Sequence, residues 1–171
     1  ETLGVVKTPP PTKLATFERA FRLSNVAMHA VAIQVRRLRS AEPEDATFLF
    51  RKWSDFDFLV VSLTRLRRSV RLACELPQAR IVLEPALQEF DSKLPGLKLI
   101  RNVAEHIDEY AVERGHHTSI SRLGLETSTL SARGPTLRWL GVGVNANVAL
   151  RVAEKLFAAI QVAKNAARTD A

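Results

Sequence analysis

The chain has 171 residues, 46% of them apolar, with 25 lysines and arginines against 18 acidic residues and a net charge of +7. One domain with a sizeable core fits that composition, and the single cysteine, Cys74, excludes an internal disulfide or a thiolate-rich zinc site. No run of about 18 apolar residues offers a membrane span and no basic-then-apolar opening marks a signal peptide, so a soluble, cytoplasmic protein is expected, and a pI near 10.2 favours polyanionic partners.

Residues 1–13 carry Pro9, Pro10 and Pro11 and read as an extended arm. Residues 14–171 then read as a single, mainly α domain: a bundle of four or more helices with a small β-hairpin before the last one. The first helix follows from Phe17, Phe21, Met28, Val31, Val35 and Leu38, which step by three and four until Pro43, with an interruption at Ser24. His29 beside that stripe reads as a packing histidine. Glu42, Glu44 and Asp45 suit the start of a second helix running to about Cys74. Its stripe of Leu49, Trp53, Phe56, Val60, Leu63, Leu66 and Val70 is widened by Phe50, Phe58 and Leu59, as expected of a central helix. Arg65, Arg67, Arg68 and Arg71 scatter around its axis as a basic face, and the neighbours Arg68 and Arg71 are candidates for phosphate contact. Pro77, Pro85 and Pro95 divide the next section into expected short helical turns.

Leu97 to Gly115 reads as the organising helix, bounded by Pro95-Gly96 and by Gly115 in the place of a left-handed cap. Ile100, Val103, Ala104, Ile107 and Ala111 give its expected buried stripe. At about 100° per residue, Asn102, His106, Glu109 and Glu113 fall on a separate polar stripe, while Arg101 lies about 140° from His106. Arg101 must therefore reach round the helix or act across a partner. His116 and His117 follow the helix end, where a capping role competes with a ligand or substrate role. Residues 118–142 are rich in hydroxyl and β-branched residues, with Arg133-Gly134-Pro135 as a turn, which predicts a hairpin. Asn145 or Asn147 caps a final helix bearing Val148, Val152, Leu156, Ile160 and Ala163. No glycine-rich phosphate loop, metal-ligand spacing or nucleophile elbow occurs, so no cofactor or metal is expected.

The run Arg101-Asn102-Val103-Ala104-Glu105-His106 resembles the R-x4-H motif of the HEPN superfamily, with its polar residue directly after the arginine. The resemblance implies a metal-independent endoribonuclease, dimerising so that two motifs face a shared cleft, with Arg101, Asn102 and His106 as its catalytic lining. It implies RNA as substrate, a homodimer approaching through the Arg101 to Glu113 face, and a toxin or defence role with a cognate antitoxin protein. Arg68, Arg71, Glu109, His116 and His117 are the candidate substrate contacts. Read without the resemblance, the same residues make a solvated helix face, and the chain is a non-catalytic helical dimer that binds a partner protein or nucleotide.

Overall fold

The computed structural model describes residues 9–131 and 135–169. Of the expected arm, residues 9–13 fall within that range, and Lys13 already belongs to the first helix. Helix α1 (Lys13–Arg39) starts where the Thr12 hydroxyl accepts the Ala15 N–H at 3.1 Å. Its buried row is Phe17, Ala20, Ser24, Ala27, Val31, Val35 and Leu38. Ser24 does not interrupt the helix, because its hydroxyl donates to the Ala20 carbonyl at 2.9 Å and so enters the core satisfied. His29 is exposed rather than packed, since the small Ala20, Ser24 and Ala27 turn the neighbouring face inward.

A 3-10 turn (Pro43–Ala46) leads into α2 (Phe50–Ala73), which packs along α1 and lies at the centre of the bundle. Phe56, Leu59, Val60, Leu63, Leu66 and Val70 are buried, but the stripe is narrower than expected. Phe50 and Phe58 are 75% and 57% exposed. The α1–α2 connection is fixed by charge. Asp55, 2% exposed, accepts Arg37 Nε at 2.7 Å and Arg51 Nη1 at 3.1 Å, and Arg51 also pairs with Asp45 and donates to the carbonyls of Arg37 and Ser40.

Helix α3 (Pro77–Lys93) is one continuous helix instead of short turns. Pro77 occupies its first turn, where an N–H has no helical partner anyway, and Pro85 lies on the exposed side. The carbonyl that Pro85 leaves without a donor, four residues earlier, can then be met by water. The C-terminal helix α7 (Ala146–Thr169) crosses α3, α1 and α2, and Asn145 caps it by accepting the N–H groups of Asn147 and Val148, each at 3.0 Å.

The organising segment is two helices. α4 (Leu97–Glu105) ends at His106, whose backbone (φ −119°, ψ 32°) departs from helical values, and α5 (Ile107–Ala111) follows. Ile100 and Val103 are buried as expected, whereas Ile107 and Ala111 are exposed and Tyr110 is buried in their place. A phenol fills more space than isoleucine, and the break lets it do so with its hydroxyl satisfied. Tyr110 Oη accepts Asn102 Nδ2 at 3.4 Å and the His117 N–H at 3.2 Å. Gly115 is not the left-handed residue. Glu113 is (φ 58°), with its own N–H donating to the Tyr110 carbonyl at 3.1 Å and that of Arg114 donating to the Glu109 carbonyl at 2.8 Å, the paired bonds of a Schellman ending. Gly115 serves close approach instead: a Cβ there would lie 2.2 Å from the Tyr110 ring.

The predicted hairpin begins later than expected and has a third strand. Residues 122–126 form a helical turn, α6 (Arg122–Glu126), capped by Ser121. β1 (Thr129–Ser131), β2 (Thr136–Trp139) and β3 (Val142–Asn145) make an antiparallel meander in the order β1-β2-β3. The expected turn at Arg133-Gly134 falls outside the described residues. The second turn is Leu140-Gly141, both with positive φ (54° and 76°), the two-residue geometry that matches strand twist. Leu137 and Val144 pair across β2 and β3 and point into the core. Val142 rests on Gly96, where a Cβ would come within 2.6 Å, so the sheet seats the start of α4.

Candidate nucleic-acid interface

Helix α4 lies against α2 by burying Leu97, Ile100 and Val103, and this leaves Lys98, Arg101 and Asn102 directed along the seam between the two helices. The spacing of Lys98 and Arg101, three residues apart, puts both on one face of α4. A cleft of about 390 Å³ opens there, lined by Thr64, Arg67, Arg68 and Asp91 on one side and by Lys98, Arg101 and Asn102 on the other.

Four cations therefore surround this space against one carboxylate. Asp91 is held by Arg67 in a two-point contact, Nε to Oδ1 and Nη2 to Oδ2, each 2.6 Å. Arg68 and Lys98 have no ion-pair partner among the described residues and remain available to an anion. The Arg101 side chain is only 22% exposed. Its Nη2 contacts Glu105, one turn on, while its Nε is buried without a partner. A buried guanidinium N–H left unmatched costs free energy, and an anionic oxygen that drew the Arg101 side chain into the cleft would recover it. On its far side Arg101 also borders a smaller cavity of about 160 Å³ with Asp57, Val60, Val61, Ala104 and Glu105. Partial desolvation raises the Asp57 carboxyl above its ordinary value.

The predicted residues divide into two groups. Arg101, Asn102 and Arg68 come together in the larger cleft. His106 lines neither cavity. It sits at the helix break with Nδ1 3.3 Å from Glu109 Oε1, so Glu109 can hold the proton on Nδ1 and leave Nε2 as an acceptor. Asn102 contacts Tyr110 rather than His106. Arg71 lies away from the cleft, 3.5 Å from Glu84 on α3, because the next turn of α2 faces α3. His116 and His117 are exposed beyond α5, and only the backbone of His117 is bonded to Tyr110. Sequence reading missed Arg67, Lys98 and Thr64, although the three-residue step from Lys98 to Arg101 marks a shared face. Among the described residues, no three acidic, histidine or cysteine side chains converge as metal ligands.

No family model, curated protein or solved structure matches this chain.

Proposed function

We propose that the chain binds RNA by its phosphodiester backbone in the α2–α4 cleft and cleaves it without a metal, in the manner implied by its resemblance to the HEPN superfamily. The observation that carries this reading is the Arg101 guanidinium, largely enclosed, with an unmatched Nε, beside the unpaired Arg68 and Lys98. A phosphate offers acceptor oxygens to all three, and arginine presents a planar fork suited to two of them.

In the reaction the ribose 2'-oxygen forms a bond to the adjacent phosphorus as the bond from phosphorus to the 5'-oxygen breaks. The products are a cyclic phosphate and a 5'-hydroxyl. Nε2 of His106 accepts the 2'-hydroxyl proton, with Glu109 on Nδ1 fixing the tautomer, and an imidazolium returns a proton to the leaving oxygen. Positioned acid-base catalysis of this kind is worth roughly 10² to 10⁴ in rate. Arg101 stabilises the charge that develops on the phosphoryl oxygens. Since His106 stands outside the Arg101 cleft, the reading calls for a homodimer that brings motifs from two copies to one RNA strand, and a toxin-type role with a cognate antitoxin belongs to the same proposal.

A second reading has its own support in the helix break at His106, which separates the imidazole from the cations. The chain would then hold RNA or a nucleotide without cleaving it. Incubation with single-stranded RNA in a chelator decides between them. Cleavage to cyclic phosphate ends, lost in both His106→Ala and Arg101→Ala, is expected of the enzyme. Intact RNA with retained binding assigns the chain to the second reading.

A further inference from the structure

The solvent face of α2 carries features that the cleft does not explain. At about 100° per residue, Phe50, Asp57, Phe58, Val61, Arg65 and Leu72 fall within about 100° of one another, on the side away from the core. Phe50 is 75% exposed and stacks on Phe48 with ring centroids 5.4 Å apart and planes 4° from parallel, and Phe48 is itself 57% exposed. At the other end of the same face, the half-buried Leu72 lies in a groove of about 390 Å³ between α2 and α1, walled by the exposed Leu23 and Val26 and by Arg65 and Arg68. Asp57 sits between knob and groove and Arg65 on the groove wall, opposite charges with no ion-pair partner among the described residues, and Arg68 shares the angular position of Phe50.

We propose that this face is a self-association surface, on which α2 packs antiparallel against α2 of a second copy so that Phe50 of each chain enters the groove at Leu72 of the other. A two-fold axis relates residues at equal distances on either side of one position. Phe50 and Leu72 have residue 61 as their midpoint, and so do Asp57 and Arg65. One register therefore fills both grooves and forms both Asp57–Arg65 pairs, with Val61 meeting its own mate on the axis. Phe50 stands eleven residues from that axis, about 17 Å along the helix. An isologous interface needs this kind of self-complementarity, knob to groove and acid to base on a single patch. Burying the exposed rings supplies the apolar contact, and the charge pairs set the register.

The inference rests on the dimeric form of the reading above, places the contact on α2 instead of the Arg101 to Glu113 face, and does not depend on the chemistry, so association and cleavage are measured separately. Sedimentation equilibrium of the full chain should show a dimer. Asp57→Arg or Arg65→Asp places like charges together twice per dimer and should weaken association on the order of 100-fold. The double variant Asp57→Arg/Arg65→Asp restores opposite charges and should recover the dimer, a rescue that misfolding cannot produce. Phe50→Asp should also give a monomer, with unchanged circular dichroism. A monomeric wild type, or a dimer indifferent to all four variants, overturns the proposal. A monomer whose affinity for single-stranded RNA falls in Phe50→Ala assigns the aromatic face to bases instead and overturns it too.

Discussion

Tyr110→Phe is the substitution that most cleanly probes how the site is held. It removes one oxygen and leaves the ring in its pocket, so the change in stability reports the two bonds that Oη accepts, from Asn102 at 3.4 Å and from the His117 N–H at 3.2 Å. Net contributions of such bonds cluster near 1 kcal/mol each, and both are long, so the expected loss is about 1–2 kcal/mol. Gly115→Ala attacks the same contact sterically. Its Cβ would overlap the ring at 2.2 Å, and Tyr110 is 1% exposed and cannot swing aside, so overpacking should cost about 1–3 kcal/mol. Urea unfolding followed by circular dichroism supplies both numbers, provided the slope is unchanged. A double-mutant cycle of Tyr110→Phe with Asn102→Ala should show coupling of about 0.5 kcal/mol or more. A neutral Tyr110→Phe together with a tolerated Gly115→Ala would mean that α5 and the histidine loop are not pinned by this phenol.

Three further outcomes follow from the charges. Asp55→Ala should destabilise by roughly 3 kcal/mol, because it leaves Arg37 and the enclosed Arg51 without their shared buried carboxylate, and thermal unfolding will read the loss. Asp45 is held at about 2, first by the hydrogen bond from Arg51 and then by the Glu42 N–H. A depressed carboxyl contributes stability above its unfolded pKa and loses it on acidification, so Asp45→Asn should remove part of the stability change between about pH 4 and pH 2 and none of that near neutrality. Lys98→Ala should lower the slope of log affinity for RNA against log salt by about 1, as expected of one lost phosphate contact, and an unchanged slope would remove Lys98 from the interface.

Much of the fold is legible in the chain because periodicity and caps are local. The rows of α1, α2 and α7, the Asn145 cap and the strand content before α7 all follow from spacings of a few residues. The miss at Leu97–Gly115 has a different origin. Projecting side chains at a constant angle assumes an unbroken helix, whereas the balance at His106 is set by the volume of Tyr110 and by Gly115 fitting against its ring. Those are tertiary facts. For the same reason Gly115 looks like a left-handed cap while Glu113 takes that conformation. Pro85 in α3 is tolerated because of which side it faces, and Arg71 leaves the site because Glu84 lies beside it on another helix. Phe50 and Phe58 fit an apolar period yet stay exposed, since α1 and α4 cover α2 from its flanks and leave that face open. Of the candidate residues, Arg68, Arg101 and Asn102 meet in one cleft, and the separation of the His106 imidazole from them could not be read from spacing.

The central claim is that RNA phosphates occupy the cleft around Arg101. Its most direct test is the affinity of the chain for a single-stranded RNA at fixed salt, compared with Arg101→Ala and, as a control, with Arg71→Ala, which removes an arginine of α2 that lies outside the cleft. The account predicts about tenfold or greater weakening for Arg101→Ala, or 1.4 kcal/mol, and near wild-type binding for Arg71→Ala, whose side chain leaves α2 toward Glu84 of α3. Equal losses in both variants would mean diffuse attraction to a basic protein, and binding unaffected by Arg101→Ala would contradict the account outright.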